Sequence, residues 1–290
     1  MSDWNDPELT AKRDRLIAAL RGYGRVAVAF SGGIDSTVVA QAAQLAIGED
    51  AIAITAVSDS LAEGELEEAE ELAKQIGIRH RVIRTGEFAD PNYLRNNPDR
   101  CYFCKSELYG RLALLRVELG VDAVASGANL DDRGDHRPGM KAAAENGVVH
   151  PLLDSELTKG DVRALAKAWG LPTWDKPATP CLSSRIAYGE EVTPERTRMI
   201  DRAERWLRAR GLRVVRVRYH KGDLARVEVP LDELPAIASA EVRAELVRAF
   251  RDIGFKFVTL DLEGFRSGSN NVLIPAEDLM QGLVVPAVGR

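Results

Sequence analysis

The sequence predicts an α/β fold: a doubly wound parallel sheet with a smaller α+β unit behind it. Three observations carry that prediction. Short apolar runs alternate with stretches of helical period through the first half, an order that right-handed crossovers wind into a parallel sheet. A small-residue turn, Ser31-Gly32-Gly33-Ile34-Asp35-Ser36-Thr37, joins the first such run to the first such helix. The pattern then breaks at Lys176-Pro177-Ala178-Thr179-Pro180-Cys181, a proline-rich stretch that no regular element accommodates. The chain accordingly divides into residues 1–176, a loop over 177–192 and a C-terminal unit over 193–290.

The elements follow in order. Val26-Ala27-Val28-Ala29-Phe30 reads as a buried strand, and Val38-Val39-Ala40 continues the helix after the turn. First-turn N–H groups have no partners within their helix, and the helix dipole adds positive potential there. Glycines let an anion approach the bare backbone, so the turn is built to hold phosphate. It is neither a Walker A loop, lacking Gly-Lys-Ser/Thr, nor a dinucleotide Gly-x-Gly-x-x-Gly. Ala51 to Val57 forms the next strand. Leu66, Ala69, Leu72, Ala73 and Ile76 recur at helical spacing after a Ser60-x-x-Glu63 capping box, and Gly77 stops that helix. The acidic run Glu63 to Glu71 is its solvated face. A strand over His80–Ile83, a helix from Cys101 to Leu119 and a buried strand over Asp122–Ser126 complete the half. Ligands bind beyond the carboxyl ends of such strands. The phosphate turn, Ser58-Asp59 and Gly127-Ala128-Asn129-Leu130-Asp131-Asp132 all lie at those ends and point to one cleft.

Beyond the break, Thr193 caps a helix with Pro194 at its first position and Gly211 after its end. Met199, Ile200, Ala203, Trp206 and Leu207 line its apolar face, which makes Trp206 a core residue. Strands over Arg213–Tyr219 and Leu224–Val229, a helical region over 231–252 and a strand over Phe257–Leu260 follow. No internal repeat or low-complexity segment is visible.

Composition narrows the function. Hydrophobic residues make up 45% and charged residues 29%, an ordinary globular balance. A net charge of −5 argues against general nucleic-acid binding. The polar start and the lack of any run of transmembrane length make the cytoplasm the expected compartment and exclude a membrane partner. Three cysteines cannot pair into a disulfide framework, and Cys101-x-x-Cys104 points to metal or redox chemistry.

Four segments in this order resemble one family: Ser31 to Thr37, Arg100-Cys101-Tyr102-Phe103-Cys104-Lys105, Ser126-Gly127-Ala128-Asn129-x-Asp131-Asp132, and Pro180-Cys181-Leu182-Ser183-Ser184-Arg185-Ile186. Together they look like the LarE family, the pyridinium-3,5-biscarboxylic acid mononucleotide sulfurtransferases. That family belongs to the PP-loop ATP pyrophosphatases, with an adenine nucleotide alpha hydrolase-like sheet. The phosphate turn identifies the superfamily; the Pro-Cys-Leu-Ser-Ser-Arg segment narrows it. The resemblance implies that ATP adenylylates a substrate carboxylate and that sulfur then displaces AMP, a step in making the nickel-pincer nucleotide cofactor of lactate racemase. Ser31, Gly32, Gly33 and Ser36 would hold the departing pyrophosphate, Asp35 would fix Mg²⁺, and Ser58, Gly127, Asn129 and Asp131 would complete the ATP site. Asp131 or Asp132 either adds a second carboxylate for the ion or caps a helix. Arg185 either neutralises charge on the acyl-adenylate or forms a surface salt bridge.

The resemblance also sets alternatives for the sulfur. In one branch a cysteine matching Cys181 gives up its own sulfur. In another, three cysteines, here Cys101, Cys104 and Cys181, hold a [4Fe-4S] cluster with one open iron, which is the favoured reading. Zinc or inert thiols are the plain alternatives. The basic run from Arg196 to Arg218 is either a solvated face or a platform for the mononucleotide, with Arg216 and Arg218 the best candidates. Glu204 and Glu228 resemble carboxylates that bind a divalent ion in the family; His220, beside the strand, either joins such a site or is a surface histidine. The expected partners are the mononucleotide, a sulfide source and further copies of the chain. An amide-forming ligase and a tRNA-thiolating enzyme are the competing functions; the first has no use for clustered cysteines, and the second lacks an evident RNA-binding appendage.

Overall fold

The computed structural model describes residues 6–132 and 138–266. Four strands form the first sheet: β1 (Val26–Ala29), β2 (Ala51–Val57), β3 (Arg79–Arg84) and β4 (Ala123–Ala125). They are parallel and ordered β3-β2-β1-β4, with Val28 opposite both Ala53 and Ala125. The order explains the composition. β1 and β2 have neighbours on both edges and helices on both faces, so they are nearly unbroken apolar runs. β3 is an edge strand and carries arginine at both ends.

Eleven helices can be numbered along the described residues: α1 (Pro7–Gly22), α2 (Ile34–Ile47), α3 (Glu65–Ile76), α4 (Pro91–Leu94), α5 (Arg100–Leu119), α6 (Pro138–Glu145), α7 (Pro151–Asp154), α8 (Lys159–Ala168), α9 (Pro194–Arg208), α10 (Leu234–Ala238) and α11 (Ala240–Ile253). Strand alternation sorts them onto two layers. Val26, Val28, Ala51 and Ala53 face the layer made by α1, α2, α3 and α8, where Leu16, Leu20, Val38, Leu72 and Leu165 are buried. Ala27, Ile52, Ile54 and Val124 face Tyr109 and Leu112 of α5 and Ala142 and Ala143 of α6. The sheet is therefore doubly wound, as the sequence predicts.

The second sheet, β5 (Arg216–His220), β6 (Leu224–Glu228) and β7 (Phe257–Leu260), pairs β5 with β6 antiparallel and β6 with β7 parallel. Its core joins Val215, Val217, Val227 and Val229 to Ile200, Ala203 and Leu207 of α9 and Phe250 of α11. Thr193 accepts from the Arg196 N–H and caps α9. Trp206 is only half-buried, with Arg210 stacked 3.4 Å over its ring. This core reaches back into the first half, burying Tyr93 of α4 beside Leu182 and Ile186.

Two local expectations are corrected. Ser60 does not cap α3, because the chain enters that helix through Gly64 at φ 90°, a left-handed turn that leaves Ser60 hydrogen-bonded to Ser58 instead. The helical region over 231–252 is two helices, since Ser239 is extended at ψ 151° and breaks it. The expected units 1–176 and 193–290 include residues 1–5, 133–137 and 267–290, which lie outside the described residues. No helix among the described residues is long and apolar enough to cross a membrane.

Candidate active site

The turn after β1 is wound tightly on itself. Ser36 Oγ donates to the Gly33 carbonyl at 3.0 Å and accepts from the Ser31 N–H at 3.2 Å. Thr37 Oγ1 donates to the same carbonyl at 2.8 Å. No side chain caps α2, so its first N–H groups stay available at the mouth of the turn. Gly32 sits at φ 67° with α3 behind it: a Cβ there would lie 3.3 Å from that of Ala69. Gly127, at the end of β4, approaches α2 so closely that a Cβ would come 2.8 Å from the Ser36 nitrogen. The end of β4 is thereby pressed against the start of α2.

Asp35 begins the charged part. Its Oδ1 accepts from Asn129 Nδ2 at 3.1 Å, and its Oδ2 holds the ammonium of Lys159. Asn129 is buried, and its own N–H goes to Asp132 at 3.0 Å while its Oδ1 receives the Asp131 N–H at 3.0 Å. Asp131 accepts the Lys159 N–H, the first of α8, whose N-cap is Thr158. Ser58, at the end of β2, donates to buried Glu87 at 2.6 Å. Among the described residues the second oxygen of Glu87 has no hydrogen-bond partner.

The cysteines come next. Cys101 and Cys104 lie in the first turn of α5, and Cys181 precedes a short helical turn over Leu182–Arg185. All three are free thiols; Cys101 and Cys181 are exposed and Cys104 is half-buried. Burial, then the charge of Cys181, pushes the Cys104 thiol up to about 12, so the two groups sense each other. The Cys181 loop is pinned from both halves. Leu182 N–H donates to the Ser60 carbonyl at 2.8 Å, Tyr93 and Ser183 share a 2.6 Å hydroxyl contact, and Arg100 donates to the Ser183 carbonyl at 2.7 Å. Arg100 is buried, and its other contacts are Asn96 Oδ1 at 2.6 Å and Cys101 Sγ at 3.9 Å. Arg100 therefore puts a buried positive charge beside the Cys101 sulfur.

The predicted substrate platform is a buried lattice of charge. Arg185 is 1% exposed; it donates to Glu204 at 3.0 Å, the Cys181 carbonyl at 2.9 Å and the Pro180 carbonyl. It anchors the cysteine loop from within the core, so the expected surface salt bridge is corrected to a buried one with Glu204. Glu204, expected as an ion ligand, takes Arg185, Arg208 at 2.7 Å and the Val217 N–H at 3.1 Å. Burial pushes its carboxyl up, but Arg185 and Arg208 more than offset that and leave it below the ordinary range. Glu228 likewise accepts from Arg218 at 2.9 Å and lies 3.0 Å from Arg226. His220 Nε2 accepts from Arg226 Nε at 3.1 Å. Arg216 differs from its neighbours. It donates to the carbonyls of Val215, at 2.7 Å, and Ala178, with the Phe265 ring 5.3 Å away. Burial and then Arg185 push it down to about 10.

Sequence reasoning missed Lys159, Arg100 and Glu87. Lys159 was findable: Thr158 and Asp161 form a capping box, which puts the residue between them at a helix start facing the cleft. Glu87 carries no such signal, and Arg100 stands in the sequence only as the first residue of the cysteine segment; the fold alone buries both.

A parallel sheet whose first strand turns through Ser-Gly-Gly-x-Asp-Ser into an uncapped helix defines the class: a PP-loop ATP pyrophosphatase. An asparagine synthase family model matches residues 13–100, the stretch that carries this turn. An uncharacterized protein of Synechocystis sp. is 46% identical over 263 residues, covering 91% of this chain and 98% of that protein. The pyridinium-3,5-bisthiocarboxylic acid mononucleotide synthase of Lactiplantibacillus plantarum is 38% identical over 264 residues, covering 91% and 95%. A tRNA-specific 2-thiouridylase of Desulforamulus reducens is 27% identical over 53% of each chain. The chain belongs to the LarE family, ATP-dependent sulfurtransferases of the PP-loop class.

Proposed function

We propose that this enzyme adenylylates a carboxylate of pyridinium-3,5-biscarboxylic acid mononucleotide and converts it to a thiocarboxylate for the nickel-pincer nucleotide cofactor. The observation that carries the reading is the loop over 181–185, fastened to the first half by the Leu182 N–H on the Ser60 carbonyl and to the C-terminal half through Arg185 and Glu204. A carboxylate is a poor electrophile. Its oxygen attacks the α-phosphorus of ATP, the bond to pyrophosphate breaks, and the backbone of Ser31 to Ser36 receives that leaving group. A sulfur nucleophile then attacks the acyl carbon, and AMP departs with the bonding electrons. Arg216, whose charge no carboxylate of the described residues meets by hydrogen bond, would hold the substrate phosphate or second carboxylate, with Arg218 beside it on the strand.

Magnesium fits Asp35, where the Lys159 ammonium already marks a cation position on Oδ2; bound there, it would neutralise the phosphate oxygens. A [4Fe-4S] cluster fits the thiol set of Cys101, Cys104 and Cys181. All three are free thiols, and the charge of Cys181 reaches Cys104; the cluster would supply an open iron for sulfur. The likeness to the 2-thiouridylase supports thiolation chemistry generally, but not an RNA substrate for this chain.

With ATP, Mg²⁺, the mononucleotide and sulfide under anaerobic conditions, AMP, pyrophosphate and thiocarboxylate should appear, and Asp35→Asn should stop them while the fold persists. ADP as the stoichiometric product overturns the reading. The cluster form predicts about four irons per chain, lost in each Cys→Ala variant. Colourless active protein that becomes lighter at Cys181 by the elements of hydrogen sulfide selects the sacrificial form instead.

A further inference from the structure

Lys159 is fixed at its backbone and reaches across to a different helix at its tip. Its N–H is held by Asp131, and the turn before it is locked by the Thr158–Asp161 capping box. Asp161 is itself tied to Lys12 of α1 at 2.9 Å. From this anchored start of α8 the side chain crosses to Oδ2 of Asp35, at the start of α2. Both members are part-exposed, at 36% and 26%, so water can reach the pair and it can be broken.

A divalent ion on Asp35 needs the same oxygen. Magnesium demands close, nearly octahedral oxygen contacts, and an ammonium on Oδ2 repels it and blocks that lone pair. We propose that Lys159 is a stand-in cation that keeps free divalent metal off Asp35, so that metal enters only together with ATP. This deepens the reading of Asp35 as the magnesium carboxylate and rests on it. The triphosphate supplies both the further oxygens the ion needs and the negative charge that draws the ammonium off the carboxylate. Lys159 is thus a positioning residue that sets the order of loading: its tethered charge has an alternative partner only when phosphate is present.

Mn²⁺ binding to the full-length protein, read by electron paramagnetic resonance with and without ATP, tests this. Lys159→Gln should bind Mn²⁺ about five- to tenfold more tightly than the parent without ATP, since it removes a competing like charge. Lys159→Met, which keeps the stem, should show the same gain, and Lys159→Arg should not. With ATP present the gain should vanish. Adding Asp35→Asn to Lys159→Gln should abolish it. Unchanged ATP-free Mn²⁺ affinity in both neutral variants overturns the proposal. If Asp35→Asn alone leaves Mn²⁺–ATP binding intact, the magnesium reading fails instead, and the two failures are distinguishable.

Discussion

The two halves of the molecule prepare for anions in opposite ways. The phosphate turn offers backbone N–H groups and one ion pair at the surface of a cleft, Asp35 with Lys159, with side chains 26% and 36% exposed. The C-terminal half offers side-chain charge sealed in the core: Arg185 is 1% exposed, Glu204 and Glu228 are 0%. A backbone cradle costs little when empty, because a helix start is solvated there. A buried guanidinium is expensive unless something compensates it. Glu204 and Glu228 provide that compensation for Arg185, Arg208, Arg218 and Arg226, and Arg216 is left with carbonyls. Stability and function should therefore separate in the first half and be entangled in the second.

The strongest way to break this contrast is Glu204→Gln. It takes the carboxylate from the fully buried Arg185, and from Arg208, whose side chain is 35% exposed, which should cost about 3–5 kcal/mol of folding stability. Asp35→Asn should cost less than about 1 kcal/mol, as a part-exposed pair does. Denaturant titration of both variants checks this, and equal losses would erase the distinction. The acid limb should agree. Glu204 is held below its unfolded value, so its contribution is complete above the unfolded carboxylate range and disappears as pH falls through the folded value. Acid unfolding of the parent should therefore be steeper than that of Glu204→Gln.

Arg216→Ala sharpens the contrast from the ligand side. A charge-assisted contact is worth about 1.5–3 kcal/mol, so mononucleotide binding should weaken roughly ten- to hundredfold while ATP affinity stays level. Because Arg216 has no carboxylate to strand, its removal should not destabilise the fold as Glu204→Gln does. Titration calorimetry with each ligand decides; equal loss of both affinities would mean that the two anion sites are one.

The sequence shows these halves unequally, for a physical reason. β1, the phosphate turn and α2 are legible because strand, turn and helix signals are local and adjacent. Thr193, Pro194 and Gly211 mark α9 in the same way. Ser60 misled, because a capping box spells the same three-residue spacing whether or not a glycine such as Gly64 redirects the chain. The pairing of Glu204 with Arg185, 19 residues apart, and of Glu228 with Arg218 across two strands is a tertiary event. Charged residues at those positions read as solvated or ligand-binding until the fold buries them. The same holds for Arg100, whose contacts with Ser183 span 83 residues.

The smallest expected effect lies on the seam between the halves. Arg198 of α9 stands 3.7 Å from Asp59 beside the end of β2, with side chains 61% and 49% exposed. Arg205 reaches Glu63 at 2.8 Å nearby, again at the surface. Such pairs meet water and salt, so neither should hold the halves together; the buried Leu182, Tyr93 and Arg100 contacts do that. A double-mutant cycle over Arg198→Ala and Asp59→Ala should give a coupling energy below about 0.5 kcal/mol at physiological salt. Asp59 adjoins Ser58 at the cleft, so the cycle should be read by folding stability rather than by turnover. A coupling of about 2 kcal/mol or more would show an exposed ion pair behaving like the buried lattice, and burial would no longer explain why one half is rigidly charged and the other is not.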